Sequence, residues 1–260
     1  MRRIAIASHK GGVGKTTTAI NLAVALAEQG RRVLVADMDP QGSVTLALGI
    51  APWAADRTLY EVLVKRSRPL ADILVEGESG VVVAPSTETL SAGLAELPIA
   101  NMTMAWQHVL ADTLDTVKTL VDEIIIDTAP SLGALTVAGL VAADLVIIPT
   151  QLEVAAWRKA YELLHTIGEI RGADGRRPLN TGVRVFGVLP TFVDLRTRFA
   201  NQSLTQLREE MPVPVLAPGI KRLIALHEAT LAGQSILRYA PDSQAAEAYR
   251  TLAVEVIRAA

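Results

Sequence analysis

The chain has 260 residues, a formal net charge of −2 and no cysteine, and half of its residues are hydrophobic. A chain of this length and apolar content buries a sizeable core and is not disordered. The missing thiols exclude iron–sulfur clusters, zinc-thiolate sites and cysteine nucleophiles, and the near-neutral charge confines any nucleic-acid contact to a local patch.

Arg2 and Arg3 precede an apolar run too short for the core of a signal peptide. Ile4–Ala7 is expected to be a buried strand. His9 to Gly14 is a glycine-rich turn, and Thr16–Glu28 has helical spacing, with Ala19, Leu22, Ala23 and Leu26 on one face. Strand, glycine turn and helix in that order are the setting of a phosphate-binding loop. Gly11, Gly12 and Gly14 permit a sharp turn and leave backbone N–H groups open to a phosphate. The helix N-terminus adds partial positive charge at the same spot. There Lys15 can reach the β- and γ-phosphates, and Thr16 can place its hydroxyl on Mg²⁺.

Gly30 suits the end of this helix. Val33–Val35 predicts a second buried strand, running into Ala36-Asp37-Met38-Asp39-Pro40-Gln41-Gly42. Ligands gather at the carboxyl ends of parallel strands, so these carboxylates are expected beside the glycine loop. Residues 50–122 carry less: a loop at 51–53, helices over 58–66, 69–75, 88–97 and 102–120, a strand over 80–84, and Trp53 and Trp106 as packing residues. Val121–Asp127 is an apolar run ending in a carboxylate that can hold Mg²⁺ through its water shell. Further strands are expected over 144–149, 183–190 and 213–215, and a helix follows Glu153 to about Arg171. The C-terminal helix has Tyr249, Leu252, Val256 and Ile257 in one stripe. Seven strands alternating with helices predict a single doubly wound α/β domain over 1–260, a mostly parallel sheet flanked by helices.

Lys10-Gly-Gly-Val-Gly-Lys15-Thr-Thr departs from the strict G-x-x-x-x-G-K-[ST] pattern at His9 and adds a lysine near the start of the loop. It resembles the deviant Walker A motif of the ParA/MinD superfamily of P-loop ATPases. Asp37-Met-Asp-Pro-Gln-Gly resembles that family's second signature and Asp127-Thr-Ala-Pro-Ser its switch II. Asp194-Leu-Arg-Thr resembles its D-x-R-T, and Ala217–Ala229 partly resembles its I-P-R-x-V-x-L-x-E-A segment.

The resemblance implies ATP and Mg²⁺ as cofactors. It places ATP contacts at Lys10, Gly11, Gly12, Val13, Gly14, Lys15, Thr16 and Thr17, with Thr191 and Pro218 near the adenine, and metal contacts at Thr16 and Asp127. Lys10, Lys15 and Asp39 are the implied catalytic residues: Lys10 reaches across a dimer, Asp39 orients or deprotonates the attacking water, and Asp37 supports it. An ATP-bound homodimer would bind DNA non-specifically through Arg196, Lys221 and Arg222. A ParB-like centromere-binding adaptor would stimulate hydrolysis and release it. The implied role is DNA partitioning in the cytoplasm, at the nucleoid and without a membrane, with no operator-binding domain ahead of the loop. A MinD-like positioning ATPase for a non-DNA cargo is the alternative.

Overall fold

Seven strands form one sheet in the computed structural model, which describes residues 1–48, 50, 57–91, 106–131, 133–175, 177–194 and 196–259. They are β1 (Arg2–Ile6), β2 (Val33–Met38), β3 (Val75–Glu76), β4 (Val82–Ala84), β5 (Glu123–Thr128), β6 (Leu145–Gln151) and β7 (Arg184–Thr191). Their order is β3-β4-β2-β5-β1-β6-β7, and only β3 runs antiparallel to its neighbour. Every residue of β2 and β5 is buried, because helices cover both faces of a parallel sheet.

The helices among the described residues are α1 (Lys15–Glu28), α2 (Ser43–Ala47), α3 (Leu59–Leu63), α4 (Val109–Asp115), α5 (Ala134–Ala142), α6 (Val154–Ile170), α7 (Arg198–Glu210), α8 (Ile224–Leu231), α9 (Ile236–Tyr239) and α10 (Gln244–Arg258). The two-residue period of the strands divides the core into two layers. Ile4, Ile6 and Ile125 face one layer with α1 and α10. Ala5, Ala7, Ile124 and Ile126 face the other with α4, α5 and α6. The C-terminal stripe is therefore a packing stripe: Tyr249, Leu252 and Val256 are buried against α1. At the end of α1, Gly30 N–H bonds to Ala27 O and Arg31 N–H to Leu26 O, the paired bonds of a Schellman motif.

The chain leaves β1 for β2 on one side and, after β5, crosses β1 to β6 and β7 on the other. Such a switch point opens a crevice at the carboxyl ends of the strands. The glycine loop, Asp39 and Asp127 all lie at those ends.

Several expected elements come out shorter or different. The helix expected over 58–66 is only α3. Residues 69–75 form a 3₁₀ turn over Leu70–Ile73 and then strand β3, because Gly77 N–H bonds back to Val81 O and closes a hairpin onto β4. The strand expected at 213–215 reduces to one bridge, Val188 to Val215, since Pro214 and Pro218 have no N–H to extend a ladder. From 102–120, the described part is a 3₁₀ turn at Trp106–His108 followed by α4, then turns to Leu120. Most of the helix expected at 88–97, and the loop at 51–53 with Trp53, lie outside the described residues.

Candidate active site

The loop between β1 and α1 turns through two left-handed glycines, Gly12 at φ 70° and Gly14 at φ 86°. Gly14 is the N-cap of α1, and neither it nor any other side chain caps that helix. The first N–H groups of α1 therefore keep their capacity for an anion. Thr191, at the end of β7, fixes the loop from behind: its hydroxyl donates to Val13 O at 2.9 Å and Thr150 O at 3.1 Å.

Lys15 is buried at the start of α1. Burial pulls its ammonium below the ordinary lysine range, and the carboxylates of Asp127 and Asp39 oppose that shift. Thr16 Oγ1 donates to Asp127 Oδ2 at 2.8 Å. Register puts Asp127 beside Ile6 of β1 and Asp37 of β2, three strand ends in a row. Burial pushes the Asp127 carboxyl well above its usual range; the charge of Asp37 adds to this, and the Thr16 hydroxyl and Lys15 pull against it. Its second oxygen, Oδ1, is buried and has no hydrogen-bond partner among the described residues. A hydroxyl and a carboxylate with a spare oxygen at a phosphate loop suit Mg²⁺, which takes oxygen donors and retains several waters.

Asp39 is buried at the mouth of the turn after β2, where its Oδ1 accepts Gln41 N–H at 3.0 Å. Asp37 differs in kind. Its Oδ1 accepts Asp39 N–H, and its Oδ2 accepts both the N–H and the hydroxyl of Thr45. Burial raises its carboxyl to about 6. Both Asp37 oxygens are thus engaged by the protein, whereas Asp127 Oδ1 has no such partner among the described residues.

Lys10 reaches toward the end of β6 and the start of α6. Its ammonium donates to Gln151 Oε1 at 2.8 Å and Glu153 Oε2 at 2.7 Å, and the Gln151 amide donates to Gly12 O. Neither partner carries a sequence signal beyond its place at the end of β6 or just past it. His9 packs beneath the loop with its side chain 4 % exposed, its Nδ1 3.7 Å from Glu162 of α6. Neither ring nitrogen has a hydrogen-bond partner among the described residues, and burial lowers the imidazole pKa.

A cavity of about 270 Å³ opens beside the loop, lined by Gly14, Thr17, Thr191, Phe192, Arg222 and Tyr249 among others. It has the position of a nucleoside pocket next to a phosphate loop. Thr17 and Thr191, both singled out in the sequence, are among its lining residues. Pro218 is not among its lining residues: the chain joins the wall only from Ile220, whose N–H bonds to Pro190 O. Phe192, in a left-handed conformation at φ 53°, and Tyr249 line it without a motif to announce them.

The bridge from Val193 to Lys221 brings the two basic segments together. Arg196, Lys221 and Arg222 line one surface cleft with Asp194. Arg196 is paired with Asp194 at 2.7 Å, and that hydrogen bond holds the Asp194 carboxyl down at about 2. The Arg222 guanidinium lies 5.7 Å from the Phe192 ring centroid, and Lys221 donates to Gln244.

A family model described as an AAA domain matches residues 1–180. The chromosome-partitioning ATPase Soj of Thermus thermophilus is 40% identical over 257 residues, covering 99% of this chain and 96% of the relative. The sporulation initiation inhibitor protein Soj of Bacillus subtilis is 38% identical over 97% of each chain. Among solved structures, a Mycobacterium smegmatis protein described as cobyrinic acid a,c-diamide synthase, with bound ATP analog and magnesium, superposes with a TM-score of 0.85 at 34% identity, covering 99% of this chain and 95% of that one. Full-length identity to two Soj proteins, together with the phosphate loop and its facing carboxylates, shows that the chain belongs to the Soj/ParA family of chromosome-partitioning ATPases.

Proposed function

We propose that this protein is a Mg²⁺-dependent ATPase that partitions DNA by cycling between an ATP-bound dimer and a released state. The observation that carries the reading is the Thr16–Asp127 pair, 2.8 Å apart beside the glycine loop, with one Asp127 oxygen still free. The phosphates would lie on the backbone N–H groups of residues 11–17 with Lys15 on the β- and γ-oxygens, and Thr16 and Asp127 would hold Mg²⁺. When bound, the ion neutralises charge between the β- and γ-phosphates.

Phosphoryl transfer to water asks little covalent chemistry of a protein, so positioning and charge stabilisation dominate. Asp39 orients the attacking water and draws on its proton. Lys15 stabilises charge on the transferred group in the same subunit. Lys10 would do so in the partner, which makes a single subunit incomplete. Closure of two subunits over two ATP molecules would then precede hydrolysis, and a centromere-binding adaptor would accelerate it. The cleft with Arg196, Lys221 and Arg222 is the proposed DNA contact.

Titration calorimetry with MgATP tests the site. Lys15→Ala is expected to weaken ATP binding by at least about tenfold; binding unchanged would remove the phosphate-loop assignment.

A further inference from the structure

The turn that carries Asp39 hangs from one buried carboxylate. Asp37 is fully buried at the end of β2. Its Oδ1 accepts Asp39 N–H at 3.2 Å, and its Oδ2 accepts Thr45 N–H at 3.0 Å and the Thr45 hydroxyl at 2.8 Å. Thr45, also fully buried, is the third residue of α2, a helix with no capping side chain of its own. The Thr45 N–H is one of the donors that a helix start leaves without an intrahelical acceptor, and Asp37 supplies the acceptor from the preceding strand. The Thr45 hydroxyl oxygen in turn accepts Ser86 N–H at 3.3 Å, just beyond β4.

The turn between them leaves little slack. Asp39 O accepts Gly42 N–H at 2.9 Å, and Gly42 takes φ 59°. A Cβ at Gly42 would stand 3.3 Å from Ser86 O, so α2 sits close against that strand end. Both flanks of residues 39–42 are thus tied to the same carboxylate, one through Asp39 itself and one through Thr45.

We propose that Thr45, acting through Asp37, is a positioning residue for ATP hydrolysis: its hydroxyl locks the Asp37 carboxylate in the orientation that fixes Asp39 over the reacting phosphate. The inference rests on the reading of Asp39 as the residue that orients water. The Thr45 hydroxyl bonds to Asp37 and Ser86 and not to the phosphate loop, so its effect falls on the chemical step and not on nucleotide affinity. A displacement of about 1 Å in such a group costs on the order of 100-fold in rate.

Single-turnover hydrolysis and ATP affinity, measured on Thr45→Val, Thr45→Ser and Asp37→Asn, test it. Thr45→Val keeps the shape and removes the hydroxyl. The expected result is a rate lowered by about 10- to 100-fold with ATP affinity within about twofold of wild type. Thr45→Ser should restore the rate to within about threefold of wild type. In an Asp39→Ala background, Thr45→Val should add no further loss, since the two act as one unit. Asp37→Asn, which keeps the size and one acceptor, should repeat the Thr45→Val pattern and serves if that variant does not fold. A lowered melting temperature with an unchanged rate, a loss of ATP affinity in place of rate, or additive losses with Asp39→Ala would each overturn the proposal. If Asp39→Ala itself hydrolyses ATP normally, the underlying reading of Asp39 fails; if only the Thr45 variants do, the positioning role alone fails.

Discussion

Glu153 holds the Lys10 ammonium at 2.7 Å within a single subunit, on a surface where the lysine side chain is 30 % exposed. A partly exposed ion pair of this kind contributes about 1 kcal/mol or less, so Lys10 can leave it for a stronger anion at little cost. Lys10→Ala should therefore bind MgATP close to normally and fail to form a stable ATP dimer. Sedimentation velocity with ATP checks this; a dimer as stable as wild type would remove Lys10 from the interface.

Asp127 sets stability against function. Burial raises its carboxyl above the usual carboxylate range, so holding it ionised costs folding free energy in the protein without nucleotide. Asp127→Asn keeps an acceptor for Thr16 and removes that charge. Its melting temperature without nucleotide should rise at pH 7–8, while the extra stabilisation by MgATP over ATP alone is lost. Differential scanning calorimetry reads both effects. A lower melting temperature without nucleotide would contradict the electrostatic assignment, and retained Mg²⁺ dependence would contradict the metal site.

His9 predicts a pH effect of defined sign. Burial holds its folded-state pKa below the ordinary histidine value, with Glu162 facing it and opposing the shift and Lys159 and Lys15 nearby. The unfolded chain then binds the proton more tightly, so the stability His9 contributes is present above about pH 6.5 and is lost as pH falls below it. His9→Gln removes this loss. From pH 7.5 to 5.5 the wild type should lose more melting temperature than the variant, and equal losses would show that His9 is not held neutral.

The glycine loop, both carboxylates and the parallel sheet flanked by helices were legible in the sequence because each rests on local pattern: short continuous apolar runs, a turn that needs glycine, a carboxylate at a strand end. What was not legible depends on contacts between distant segments. Thr45 meets Asp37 only because α2 folds back over the end of β2, and Tyr249 reaches the cavity beside the loop from the last helix. Strand β3 was hidden for the opposite reason: two residues are too few to show a period, and the hairpin at Gly77 decides them. The motif resemblance singled out Pro218, while the local route of the chain brings Ile220 to the cavity wall.

The basic cleft makes a prediction in salt. Arg196 is already paired with Asp194, so Lys221 and Arg222 carry more of the unneutralised charge. Affinity for non-specific DNA in the presence of ATP should fall with salt at a log–log slope of about −0.9 per phosphate contact. Arg222→Glu should make that slope shallower by about one contact or more. Fluorescence anisotropy across a salt series measures it; an unchanged slope and affinity in Arg196→Glu with Arg222→Glu would remove this surface.

The central claim is that Asp39 governs the lifetime of an ATP-bound dimer, and Asp39→Ala followed by sedimentation velocity in MgATP tests it most directly. The variant should bind ATP, hydrolyse it at least about 100-fold more slowly than wild type, and remain dimeric while the wild type returns to monomer. Hydrolysis at the wild-type rate, with dissociation to match, would contradict it.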